Sequence, residues 1–162
     1  MNNTLNVTTA GDRELVVVRE FDAPRNLVWR AMNKPDLLKR WLTGPPGWEM
    51  TVCEDDAREG GSFRWEWSGP DAAKLVMTGV YQEYLPPDRC VRTERFEMVG
   101  GPPMGEQLAT LELVETAGRT KLTVRIAFPS PEARAGAMAS GMTEGMAAGY
   151  DGLEALLATL PA

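Results

Sequence analysis

The sequence predicts an α+β fold: one strand, two short helices, a six-strand meander and a long C-terminal helix, in that order. Three observations predict it. Apolar and polar residues alternate in short runs, the period of a half-buried strand. Gly, Pro, Asp and Ser separate the runs by a few residues, and such short connections join strands antiparallel. The last stretch, residues 131–160, reads as a helix of roughly 45 Å at 1.5 Å per residue, long enough to cross the face of about seven strands.

The first strand is residues 14–21, ELVVVREF, rich in β-branched side chains. Asp22-Ala23-Pro24 stops it, and Pro24 suits a first helical position, where a missing N–H costs nothing. In the helix over 24–32, Leu27, Val28 and Ala31 share one face beside Trp29; Pro35 breaks it, because the residue before a proline avoids the α region. A second helix over 35–42 presents Leu37, Leu38, Trp41 and Leu42. The meander follows. Trp48, Met50 and Val52 alternate with polar neighbours, then Phe63, Trp65 and Trp67, then Leu75, Met77, Gly79 and Tyr81. Runs at 91–96, 108–114 and 122–128 complete it. Gly60-Gly61, Ser68-Gly69-Pro70, Pro86-Pro87-Asp88, Gly100-Gly101-Pro102-Pro103 and Ala117-Gly118 are the turns. Ser130-Pro131-Glu132 opens the terminal helix with a capping hydroxyl, a first-turn proline and a carboxylate at the positive end of the dipole.

Domain organisation follows from length: 162 residues suit one domain over 14–162, preceded by a frayed leader over 1–13 that lacks the basic start and apolar run of a secretory signal. No apolar stretch reaches the roughly 18 residues of a membrane span. Seventeen Lys and Arg against 23 Asp and Glu give a net charge of −6, which argues against nucleic acid and anionic membranes as partners. The two cysteines, Cys53 and Cys90, lie in strands without a CxxC motif and read as reduced thiols of a cytoplasmic protein. Histidine is absent, which removes Ser-His and Cys-His nucleophiles and the commonest metal ligand. No metal, cofactor or catalytic residue is expected.

The terminal helix carries the functional signal. Met138, Met142, Met146 and Tyr150 recur every four residues, beside a stripe of Gly141, Gly145 and Gly149. A helical glycine costs about 1 kcal/mol relative to alanine, so the stripe needs a reason: close approach to the sheet, or space left for a ligand. Adaptable methionines suit the second reading, whereas plain core packing is the alternative. Leu153, Leu156, Leu157 and Leu160 read as core. On the cavity side the alternation places Trp48, Met50, Phe63, Trp65, Trp67, Met77 and Tyr81, facing Met138, Met142, Met146 and Tyr150, with Trp41 and the Pro45-Pro46-Gly47 loop at the mouth as either lid or rigid cap. A single bulge would reverse part of that assignment. Arg92 with Glu94, and Arg64 with Glu66, each lie two residues apart on a strand face. The expectation for both is a solvated face with cross-strand charge pairs; a pair turned into the cavity would instead offer acid or base chemistry. Asp56, Arg58 and Gly60-Gly61 read as a structural turn.

Several segments resemble a known family. Arg19-Glu20-Phe21-Asp22-Ala23-Pro24, Val28-Trp29-Arg30-Ala31, Pro35-Asp36-Leu37-Leu38 and Arg40-Trp41 resemble the opening signature of the Hsp90-ATPase-activator-like group of the START/Bet v 1-like (SRPBCC) superfamily. Residues 56–63, 84–89 and 140–145 resemble its later hallmarks in the same order. The resemblance implies a helix-grip fold of order β-α-α-β6-α, its sheet curled around the long terminal helix with a cavity between. It further implies a hydrophobic, aromatic or lipid-like ligand. Met146 stands where such relatives usually carry tryptophan, which suggests a softer or wider pocket. Hsp90 is not expected as a partner, since eukaryotic activators engage it through an additional N-terminal domain for which this chain has no room. Three functional classes follow: a binding protein for a small hydrophobic molecule, a cyclase- or hydrolase-like enzyme using the same cavity, and an interaction module that pairs with a partner or as a homodimer through an exposed face.

Overall fold

A computed structural model describes residues 3–101 and 105–161. Pro102 and Pro103 of the expected loop, the first two residues of the expected leader and the last residue of the expected domain lie outside the described residues. The chain runs through β1 (Asn6–Ala10), β2 (Glu14–Phe21), α1 (Arg25–Asn33), α2 (Pro35–Trp41), β3 (Glu49–Asp55), β4 (Ser62–Ser68), β5 (Lys74–Leu85), β6 (Arg89–Met98), β7 (Glu106–Thr116), β8 (Arg119–Ala127), α3 (Pro131–Ala139) and α4 (Met142–Leu157). The strands form one curved antiparallel sheet in the spatial order β1-β2-β8-β7-β6-β5-β4-β3, with the helices against it in a helix-grip arrangement.

The sheet has one strand more than expected. Residues 6–10, read as part of a frayed leader, pair with β2 from Asn6↔Val18 to Ala10↔Glu14. Their sequence, NVTTA, lacks an apolar stripe because an edge strand can be held by backbone hydrogen bonds alone. Its Val and two Thr still favour extended backbone.

β2 shows the alternation at work: Leu15, Val17 and Phe21 are fully buried. Arg19 shares that inner face and is buried too, its Nη1 placed 2.8 Å from Asp151 of α4. Two bulges reset the alternation elsewhere. In β3, Met50 opposes Trp67 but Cys53 opposes Trp65, with Thr51 as the extra residue. In β5, Tyr81 opposes Arg92 but Tyr84 opposes Cys90, with Gln82 extra. Each bulge shifts the inward set by one residue, so the inner face gains Cys53, Asp55 and Tyr84 beyond the simple period.

The single long helix is also corrected. Ser130 caps α3 through its side-chain oxygen, which accepts from the Ala133 N–H at 3.0 Å. α3 then ends at Ala139, and Gly141 takes φ +88° before α4 begins. The Ser140 hydroxyl satisfies the Ala137 carbonyl at 2.7 Å across that break. A left-handed residue cannot continue a right-handed helix, and glycine is the residue that adopts it without strain.

The packed part of the core lies under α4. Tyr150, Leu153, Leu156 and Leu157 are buried there, against α1 and α2 with their buried Val28, Leu38 and Trp41. Phe21 of β2 meets the Tyr150 ring edge-on at 6.0 Å. Fully burying one such leucine contributes about 1.5–3 kcal/mol. α3, by contrast, has no buried residue.

Candidate functional site

Between the inner face of the sheet and the α3–α4 segment lies a hollow of about 840 Å³, partly open to solvent. Trp65 and Trp67 of β4, Met77 of β5 and Phe96 of β6 form one wall. Leu111, Leu122 and Ile126 continue it across β7 and β8. The helical side is Ala137, Met142, Met146 and Tyr150. Hydrogen bonds fix the aromatic frame: Trp41 Nε1 donates to the Ala31 carbonyl at 2.9 Å and Trp67 Nε1 to the Leu42 carbonyl at 2.8 Å. Trp41 also stacks on Tyr150, centroids 6.1 Å apart.

Of the residues the sequence nominated, Trp41, Trp48, Trp65, Trp67, Met77, Met142, Met146 and Tyr150 meet around this hollow. Four are placed elsewhere. Met50 is buried opposite Trp67, without reaching the lining. Phe63 is buried between Trp65 and Tyr81, at centroid distances of 4.8 and 5.4 Å. Tyr81 is buried with its hydroxyl donating to Asp55 at 2.7 Å. Met138 is 38% exposed, because the break at Gly141 ends the four-residue stripe that would have turned it inward. The glycine stripe divides as well: Gly141 breaks the helix, Gly149 meets Trp41, and Gly145 faces open space.

The residues Leu42, Gly44, Pro45 and Trp48 border the hollow, whereas Pro46 and Gly47 do not. The Trp48 indole lies so close to Gly69 that a β-carbon there would fall 2.3 Å from it. Together with the Trp67 bond to Leu42, this ties the segment to β4 and to the turn after it.

The main correction concerns Arg92 and Glu94, expected on a solvated face. Both line the hollow, with side chains only 12% and 8% exposed. Arg92 Nε donates to Glu94 at 2.9 Å, and Gln107 Nε2 donates to the other Glu94 oxygen at 2.9 Å. The Arg92 guanidinium lies 5.3 Å from the Phe63 ring centre and 5.1 Å from that of Trp65, cation–π distances. Burial works to lower its pKa, but Glu94, Tyr81 and Cys90 outweigh that, so it stays raised and charged. The other pair keeps to the opposite face and gains the expected cross-strand partner, with Arg64 and Lys74 flanking Glu66 at 2.6 and 3.0 Å. Only the two cations are solvated there, and Glu66 is covered by them. Alternation in β6 could not separate the alternatives, because Cys90 and Phe96 share the Arg92 face while Val91 shares the other.

Burial raises the pKa of other titratable groups nearby. Burial pushes the Cys90 thiol up to about 11, against a partial opposing pull from Arg92. Burial also raises Tyr150, with Arg92 again opposing. Asp55 is raised by burial and held back by hydrogen bonds from Tyr81 and Trp65 and by the Arg92 charge. Among the described residues no cluster of three or more Cys, Asp or Glu could hold a metal ion.

Residues 22–158 match the family described as Activator of Hsp90 ATPase homolog 1-like protein. The chain belongs to that family. Its fold recurs in solved structures. A crystal structure of a Rhodobacter sphaeroides protein is 32% identical, covering 96% of this chain and 99% of that one, with a TM-score of 0.89. A solution structure from Arthrobacter aurescens is 29% identical over 97% and 92% of the two chains, with a TM-score of 0.84. A Nitrosomonas europaea protein is 29% identical over 92% and 96%, with a TM-score of 0.79. No match was found among functionally curated proteins. No helix among the described residues is long and apolar enough to cross a membrane.

Proposed function

We propose that this member of the Hsp90-ATPase-activator-like family binds a small, largely apolar molecule in the hollow between its sheet and its α3–α4 segment. The observation that carries this reading is the space itself. About 840 Å³ is walled by tryptophan, methionine and aliphatic side chains, a size and lining that suit a small-molecule site. Both cysteines are free, which supports a reducing, cytoplasmic setting.

The Arg92–Glu94 pair favours a second, catalytic reading, since a charged pair in a cavity wall can do acid or base chemistry. Against it, both Glu94 oxygens already accept hydrogen bonds, and the Cys90 thiol and Tyr150 hydroxyl are both pushed upward. Neither the thiol nor the phenol is poised as a nucleophile or base at neutral pH. Use of the outer sheet as an interaction surface has less support. Exposed Val80 and Leu85 stand five residues apart on β5 and Val114 on β7, with β6 between the strands. Scattered side chains of this kind do not make the extended patch such a surface presents.

Native mass spectrometry of the protein purified from its own cell extract tests the proposal. The expected result is a co-purifying small molecule, displaced when the protein is unfolded. Thermal-shift screening with apolar compounds is the complement: a ligand at a hundred times its dissociation constant adds about 2.7 kcal/mol. Absence of both a bound molecule and any shift would overturn the reading.

A further inference from the structure

We infer that the ligand carries an uncharged hydrogen-bond acceptor, a carbonyl-type oxygen, that is read by Arg92. The inference rests on the binding reading above and adds the chemistry of one end of the molecule. Arg92 spends Nε on Glu94, and among the described residues its two terminal nitrogens have no hydrogen-bond partner. They are not sealed in protein either, and the side chain lines the hollow. The guanidinium cannot swing away, because the Glu94 contact and the faces of Phe63 and Trp65 fix its plane. What remains is a fixed donor edge in a mostly apolar wall, and a donor edge selects an acceptor.

The charge of that acceptor follows from the rest of the lining. Arg92 is the one cationic side chain there among the described residues, and Glu94 already neutralises it. The lining's other acid, Glu106, faces Arg95 at 3.7 Å, with both side chains more than half exposed. A carboxylate entering the hollow would therefore lose its water, meet no unpaired cation and lie near the like charge of Glu94. Burial of a charge without its own counter-ion is strongly unfavourable. A neutral carbonyl avoids that cost and still gains a charge-assisted hydrogen bond.

Three probes with the same bicyclic ring separate the possibilities: acetonaphthone (neutral acceptor), naphthoate (carboxylate) and ethylnaphthalene (no oxygen), each titrated against the full chain by NMR. Acetonaphthone is expected to bind at least about tenfold more tightly than naphthoate. Arg92→Met should weaken acetonaphthone by about tenfold and leave ethylnaphthalene within roughly twofold. Because Arg92→Met strands the Glu94 charge, the double variant Arg92→Met/Glu94→Gln is measured alongside it; it removes both charges together, and ethylnaphthalene binding reports that the hollow is intact. Tighter, Arg92-dependent binding of naphthoate would overturn the inference in favour of an anion reader. Ethylnaphthalene binding together with acetonaphthone binding indifferent to both variants would overturn it while leaving the hollow as a ligand site. Failure of all three probes to bind the unmodified chain would overturn both readings.

Discussion

The two ends of the C-terminal helical segment are built from similar small and apolar residues and do opposite things. At the far end, Leu153, Leu156 and Leu157 of α4 are buried, and Gly149 and Gly152 bring the helix against Trp41. A β-carbon there would touch the Trp41 ring at 3.8 Å and its carbonyl at 3.6 Å. At the near end, α3 buries no residue, and a β-carbon on Gly136 or Gly145 would meet nothing within 4 Å. Both ends belong to a segment set against one sheet. The difference therefore lies in what the helices bring: leucines and a tyrosine at one end, alanines, glycines and two methionines at the other. One end anchors the fold. The other spans a gap and has few buried contacts to lose, so it is expected to open at lower free energy.

Deleting side chains at the two ends should break this comparison if it is wrong. Leu153→Ala removes a fully buried side chain and is expected to cost about 3 kcal/mol in urea unfolding. Met146→Ala, which only enlarges an existing void, should cost less than about 1 kcal/mol. Equal costs would mean that the near end is packed. Adding bulk sharpens the contrast. Gly149→Phe drives a ring into Trp41 and should cost about 1–3 kcal/mol. Gly145→Phe projects into open space and should shift stability by less than about 1 kcal/mol while abolishing uptake of an apolar probe. Unchanged uptake in a folded Gly145→Phe protein would show that this face of α4 does not border the ligand.

The packed end was the legible one. Strand alternation and the leucine spacing name its residues because burial there obeys the simple periods of 2 and 3.6. β1 escaped because an edge strand needs no apolar stripe, and the split of the long helix because nothing in a run of glycines marks which one turns left-handed. At the near end, Trp65 and Trp67 of the wall were readable from β4 and Met77 from β5. Tyr84 came inward only through the extra residue at Gln82, which no periodicity announces. Arg92 and Glu94 were the costliest misreading. Charged side chains on a strand default to solvent, and only the register of Tyr81 on Arg92 turns them to the inner face. In the Arg64–Glu66 pair, with the same spacing and chemistry, Arg64 follows the default and Glu66 is covered by Arg64 and Lys74.

Titration of the two thiols gives the finest test of how dry the hollow's wall is. Burial pushes both Cys90 and Cys53 up to about 11 from 9.0, but Cys90 is buried and Cys53 only partly so. Around Cys90, Arg92 pulls its pKa down while Glu94, Asp55 and Glu83 push it up. Above pH 9 the unfolded chain releases these protons while the folded one retains them, so the native state binds more protons and stability must fall as pH rises. The contribution is whole below pH 9 and gone above pH 11. Buried tyrosines act in the same direction at higher pH, so the informative quantity is the difference between variants. Urea unfolding from pH 8 to 11 should show the decline flattened in Cys90→Ala by on the order of 1 kcal/mol per pH unit, and by less in Cys53→Ala because solvent reaches the partly buried thiol. A Cys90→Ala slope matching that of the unmodified protein would mean that water reaches the wall beside Arg92. The donor edge there would then be hydrated, and a ligand would have to displace that water rather than meet a bare guanidinium.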